Sequence, residues 1–557
     1  MNRVSTWIEE NREKLWFSFL LNALFFTGLL LAFRPVYETN DDVGIASMVN
    51  GAKGVYDAHL IYSHYFLGLL LKALYLIKQN FPWYGVLQYV VLYLSFTAVT
   101  YVLIRKMASP SAVWISGVLV FWFSYEGYIK VQFTKTAGIA SAAGLLLLFY
   151  AVTRERISKK ALACGMLLSV TGFLYRDAQF FAEAALMTGI GVFLLLDLTE
   201  LERGKRLQRF GRYIAAFGSL LALVLVLHFA DQYFYTSPDW EAYKQSREVK
   251  TELYDRGFPS YKENESAYNE LGIDENAYRL LRGWVNMDTE KFSVETLEKI
   301  ASMKTPRRFS RQFAKDFFET FPKGFLKIPC VYCFLLICVY WLCWGVRDRR
   351  GILAVIYEAL LAGGIYLYMF YQNRYLLNRV DVGIWLAVSM VVLWTFTEGK
   401  AYFPNRAGLA LLLTVIVAVQ PVWKSRYRIN AEDAEATMRQ CRLELETVSA
   451  DKEHLYLITT GTVSTSSSYN VLDPIPFGIS QNTLPLGGWA VTAPLYLDIA
   501  RDFGLENPLK DMIGNDRVYV LSRDISSLLE YVRTYYDADA EAEVVRDMGD
   551  IKAYRIG

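Results

Sequence analysis

LIYSHYFLGLLLKALYLI, residues 60–77, is the stretch on which the topology turns. It is apolar, yet it carries His64 and Lys72 and is flanked by Asp57, His59 and Lys78. That composition suits an amphipathic helix at a membrane surface rather than one that crosses it. The basic loops decide between the two. If 60–77 stays at the surface, Arg105/Lys106, Arg154/Arg156/Lys159/Lys160, Arg203/Lys205/Arg206/Arg209, Arg347/Arg349/Arg350 and Lys400/Arg406 all face the cytoplasm, with Arg3, Arg12 and Lys14 of the N-terminus. If it spans, all five basic loops face outward, against the positive-inside bias.

Working outward, apolar runs near the roughly 20 residues a membrane helix needs recur along the chain. LWFSFLLNALFFTGLLLAF (15–33) and GRYIAAFGSLLALVLVLHFA (211–230) are two of them. Of 557 residues, 54% are apolar, and the mean hydropathy is +0.20. The chain therefore reads as an α-helical polytopic membrane protein of about 11 spans: 15–33, 85–104, 111–124, 134–152, 161–175, 180–197, 211–230, 325–346, 352–370, 380–397 and 407–421. Glu9, Glu10 and Glu13 precede the first run and no small-residue cleavage site follows it, so it reads as a span, not a removed signal. A net charge of +2 gives no sign of a nucleic-acid partner.

Three regions then face water outside the cytoplasm. The first, 34–84, holds two short surface helices. The second, 231–323, is a polar, Tyr-rich helical insertion with Asp274 and Ser293 as expected N-caps. The third, 422–557, has strand-like runs HLYLITT and RVYVLSR beside the helical DISSLLEYVRTYY, and reads as a small C-terminal α/β extracytoplasmic domain. Residues 1–421 make up the transmembrane domain. No internal repeat of the kind found in two-fold transporters is evident. Cys330 and Cys333 form a CxxC inside an apolar run, where free cysteine packs as a small apolar residue and no partner set completes a metal site.

With this topology, charged residues from four separate loops gather at the outer face. Asp41 and Asp42 follow the first span in YETNDDVGIASMVNG (37–51), with His59 and His64 in the same loop. Lys135 comes from SYEGYIKVQFTKTAG, Arg176 from YRDAQFF, and Arg374 and Arg379 from YQNRYLLNRVDVG. Charges at the membrane boundary are costly and mark functional candidates. Arginine offers a bidentate fork for a lipid phosphate. A carboxylate can take a proton from a hydroxyl nucleophile, and positive charge offsets what develops on a leaving phosphate. The set suits transfer of a group from a lipid-linked phosphate to an alcohol.

A first span, the acidic pair "NDD" opening the first outer loop, two short helices in that loop and "SHYFLGLLL" downstream resemble the GT-C superfamily of integral-membrane glycosyltransferases. The resemblance covers residues 1–421 at the level of architecture, and some water-facing segments also resemble bacterial membrane proteins, which implies no function. It implies a polyprenyl-phosphate-linked sugar as donor, a glycan or lipid acceptor outside the cytoplasm, membrane lipids as neighbours, and the plasma (inner) membrane as location. Asp41 or Asp42 would be the catalytic base of an inverting transfer. Many members carry Asp-Glu with the first acid as base, which favours Asp41 and leaves Asp42 open. Arg176, Arg374, Arg379, Lys135, His59 and His64 are the expected substrate-binding residues. A divalent cation, Mg or Mn, is the one cofactor the pair Asp41 and Asp42 would hold.

Each residue also has a plainer role. Asp41 or Asp42 can cap the helix that follows. Arg176 can pair with Asp177, Arg374 and Arg379 can anchor headgroups, Lys135 can snorkel, and the histidines can pack at the interface. The other classes are a lipid or polysaccharide transporter, whose charges belong near the bilayer midplane, and a non-catalytic membrane assembly protein.

Overall fold

Helices dominate because the apolar runs satisfy their own backbone hydrogen bonds, as a bilayer demands. The computed structural model describes residues 2–305, 307–344, 348–374, 377–396, 405–428, 431–463 and 465–557. Arg347 and Lys400 of the basic loops lie outside the described residues. Among the described residues, six helices are long and apolar enough to cross a membrane: Leu15–Ala32, Trp83–Met107, Phe133–Thr153, Asp177–Leu198, Arg203–Phe234 and Arg349–Tyr371. Arg311–Phe325 and Pro329–Trp344, bent by 90°, make a seventh if counted as one broken span. The other expected spans fall on Pro110–Tyr128, Lys159–Tyr175, Asn378–Trp394 and Asn405–Arg428. The segment at 60–77 forms Tyr65–Ile77, 13 residues. At 1.5 Å per residue that is about 20 Å, short of a hydrocarbon core of about 30 Å.

Burial sorts the bundle into a centre and a rim. Pro110–Tyr128, Phe133–Thr153 and Asn378–Trp394 are buried on nearly every side, as helices apolar all round should be. Their neighbours turn one face outward, with Leu31, Phe229 and Leu360 exposed. Cys330 and Cys333 pack inside this core.

Beyond the bundle, the expected caps form. Asp274 Oδ1 accepts from Ala277 N at 2.7 Å and Ser293 Oγ from Thr296 N at 3.3 Å, each satisfying a donor the helix leaves free. Residues 455–556 build a five-stranded sheet in the order Thr483–Pro485, Leu455–Ile458, Val518–Ser522, Lys552–Ile556, Ala542–Asp547. The first three strands run parallel, and the last two pair antiparallel. The sheet shares a core with the insertion, where Trp240, Tyr278 and Leu297 pack with Leu457, Leu484 and Tyr531. Its other face shares a core with the first outer loop, through Val43, Ile45 and Leu67 against Tyr456 and Leu521. The sheet thus packs between the insertion and the loop that follows the first long helix, and this frames the site.

Candidate functional site

Asp41 is fixed from both sides. Val36–Tyr37 pairs in parallel with Lys130–Val131, so Glu38 N reaches Val131 O at 3.0 Å. The chain then turns into helix Asp41–Val49, whose first residue is Asp41. Neither acid caps it: the N-cap is Asn40, which makes no side-chain cap bond. Adjacent residues on a helix point to different faces, and here the two acids part. Asp41 lines a cavity of about 650 Å³ between this loop and the C-terminal sheet. Asp42 turns into the bundle and is fully buried. Its Oδ1 accepts from Tyr84 Oη at 3.0 Å, Gln88 Nε2 at 2.9 Å and Phe133 N at 3.0 Å. Burial pushes its carboxyl up to about 8 despite those three donors. Asp42 therefore ties the short helix to two long ones.

Around Asp41 stand cations. Burial raises its carboxyl above the ordinary value, while Arg379, Arg176 and a 3.4 Å hydrogen bond from Thr39 Oγ1 oppose that rise. Arg176 sits at the break between Lys159–Tyr175 and Asp177–Leu198, with its guanidinium 5.2 Å from the Phe133 ring centroid. Burial, with Arg247 and Arg379 nearby, brings it down to about 10. Arg379 is the second residue of Asn378–Trp394, where the helix dipole disfavours a cation. Among the described residues, none of the guanidiniums of Arg176, Arg247 and Arg379 makes an ion pair or hydrogen bond. Such a group lacks only an anion.

The remaining expected residues do other work. Arg374 pairs with Asp255 at 2.8 Å. Lys135 is buried between Glu126 at 2.6 Å and Glu38 at 2.7 Å, and Asn378 Nδ2 donates to both acids. Its charge is thus spent within the fold. His59 Nδ1 lies 2.7 Å from Asp57 Oδ1, its ring packed on Tyr65, Tyr235 and Trp240. His64 lies 3.3 Å from Asp231 and lines a separate cavity of about 230 Å³.

Sequence reasoning passed over two residues. Tyr62 stands between the two cavities. Its buried hydroxyl has no hydrogen-bond partner, and Asp41, Arg247 and Arg176 all act on it electrostatically. Arg247 lies 5.5 Å from the Tyr62 ring centroid. No sequence signal marks either one, since Tyr62 is one of 38 tyrosines and Arg247 is one of several charged residues in Pro238–Lys250.

A divalent cation does not fit the acid pair. Asp42 is turned away with Oδ1 filled by three donors, and Asp41 already faces positive charge. No family model, no curated protein and no solved structure matches the chain.

Proposed function

We propose that the protein is a GT-C-like membrane glycosyltransferase, which moves a sugar from a polyprenyl-phosphate carrier to an acceptor outside the cytoplasm. One observation carries this reading: a half-buried carboxylate, Asp41, lines a cavity and lies in the field of Arg176 and Arg379, whose guanidiniums are unpaired among the described residues, with Arg247 next to Arg176. Asp41 takes the proton from an acceptor hydroxyl, whose oxygen attacks the anomeric carbon. The phosphate leaves with the pair of electrons from the broken bond, and Arg176, Arg379 and Arg247 stabilise its charge. One displacement with one base inverts the anomeric configuration. Asp42, Lys135 and Arg374 position the loops around the site. About eleven spans, a cytoplasmic N-terminus and an extracytoplasmic C-terminal domain in the plasma membrane belong to the same proposal.

Deleting the gene tests it. Mass spectrometry of the surface glycans and lipids is expected to show one sugar missing and the lipid-linked donor accumulating. An unchanged glycan and lipid profile overturns the proposal.

A second reading, ion-coupled transport, has one specific observation in its favour. Glu183 on Asp177–Leu198 and Glu358 on Arg349–Tyr371 are buried. Both Glu358 oxygens and Glu183 Oε2 lack hydrogen-bond partners. Intramembrane acids of this kind mark ion and proton sites. Uptake into vesicles that needs Glu358 and not Asp41 would favour transport.

A further inference from the structure

We propose that the cavity wall facing Asp41 is an acceptor subsite for an uncharged carbohydrate, whose pyranose ring lies against Trp489 and Trp284; this rests on the transferase reading above. The parallel strands Leu455–Ile458 and Thr483–Pro485 both run out into this wall. They end in Thr459-Thr460-Gly461-Thr462 and in Gly487-Gly488-Trp489. The crevice outside the carboxyl ends of parallel strands is where such sheets hold ligands, and the cavity has the size of a small-molecule site.

Trp284 carries the argument further. Its φ is +70°, a left-handed conformation that a bulky side chain rarely adopts and that persists only where the surroundings enforce it. Here they do. Asn286 N donates to Leu486 O at 2.9 Å. A Cβ on Gly487 would fall 1.2 Å from the Trp284 carbonyl oxygen, so only glycine lets the two segments close. The strained turn places the Trp284 ring flat on Tyr254, 3.7 Å between centroids, and edge-on to Trp489 at 5.1 Å. Both indoles stay half-buried and line the cavity. An aromatic face is electron-rich and meets the C–H face of a sugar ring, while threonine hydroxyls and turn amides meet its hydroxyls.

The chemistry of the wall selects among acceptors. Besides Glu38 and Asp41 and the phenols, the ionisable side chain lining this cavity among the described residues is Lys53. The Lys53 ammonium donates inward to Ser480 O at 3.0 Å, Thr483 O at 2.8 Å and Thr483 Oγ1 at 3.2 Å. Burial lowers it to about 7. The Lys53 protons are thus spent within the wall and offer nothing to an anionic sugar. An added peptide strand is also disfavoured, because the sheet edge at 483–486 is covered by the segment carrying Trp284 and Asn286.

The test uses the full chain in lipid nanodiscs over an array of neutral oligosaccharides, anionic oligosaccharides and peptides. The wild-type protein is expected to hold neutral oligosaccharides. Trp489→Ala should weaken binding roughly 3- to 10-fold, the size of one aromatic contact, and Trp489→Phe should keep most of it. If Trp489→Ala elutes as aggregate, Trp489→Leu takes its place with the same expectation. A wild-type protein that holds no neutral oligosaccharide better than the Ala or Leu variant, or that prefers anionic sugars or peptides, overturns the subsite. The two proposals fail separately: intact surface glycans in Asp41→Asn cells with array binding retained sink only the transferase, and the opposite pattern sinks only the subsite.

Discussion

Arg374 Nη2 lies 2.8 Å from Asp255 Oδ2, and that pairing separates Arg374 from the other outer-face arginines. Asp255 also raises the carboxyl of Asp41, so the pair screens the site. Arg374→Ala should lower stability by less than about 1 kcal/mol, as partly exposed pairs do. It should also leave Asp255 uncompensated near Asp41. On the proposed mechanism Asp41 works ionised, so its raised value would place the acid limb of transfer above the ordinary aspartate range. Losing Arg374 should move that limb to higher pH. A pH–rate profile checks this, and an unmoved or lower limb contradicts it.

Arg247 and Arg379 both act against the charge of Arg176, which makes no ion pair among the described residues. Arg176→Ala should therefore leave the melting temperature unchanged or raise it, while transfer falls roughly 10- to 100-fold, the weight of a charged hydrogen bond. Arg176→Lys, which keeps charge and loses the fork, should fall in between. Thermal unfolding beside transfer assays reads both, and a large loss of stability would instead mark Arg176 as structural.

Asp42→Asn keeps an oxygen for Tyr84, Gln88 and Phe133 and puts the amide where Oδ2 has no partner. The wild-type acid binds its proton more tightly folded, at about 8, than unfolded, at about 3.9. Its contribution is thus full below the unfolded value, shrinks as pH rises, and is gone above the folded value. The Asn variant should fold, and its melting temperature should fall less between pH 5 and 8 than that of the wild type. Melting curves across that range check it; parallel curves for the two proteins contradict it.

Lys135→Met leaves Glu126 and Glu38 without their shared cation. Breaking a buried pair by removing one partner typically costs about 3–5 kcal/mol. Chemical unfolding should show that loss, and adding Glu126→Gln should recover part of it. Normal stability in the single variant would return Lys135 to the list of substrate contacts.

Much of the fold was legible because periodicity and hydropathy are local. The helices at 41–49 and 65–77, the caps Asp274 and Ser293, and the strands at 455–458 and 518–522 all lie where composition placed them. Span number is less local: Lys159–Tyr175 and Asn378–Trp394 have only 17 residues each, and Asn378–Trp394 is buried on nearly every side while Lys159–Tyr175 leaves Leu167 exposed. The site was legible in part. Asp41, Arg176 and Arg379 act on one another, since short loops at one face have little room to diverge. Lys135 and Arg374 found partners, Glu126 and Asp255, that only tertiary packing supplies. Trp284 and Tyr62 gave no warning, because a positive φ and an unpartnered hydroxyl exist only in the folded chain.

The central claim is that Asp41, and not Asp42, is the base. The direct measurement is mass spectrometry of surface glycans and lipids from cells in which Asp41→Asn or Asp42→Asn replaces the wild-type protein at equal abundance. A base contributes about 10²- to 10⁴-fold, so Asp41→Asn should reproduce the deletion profile, while Asp42→Asn, which folds, should restore the modification. Full modification in the Asp41→Asn cells would contradict the claim.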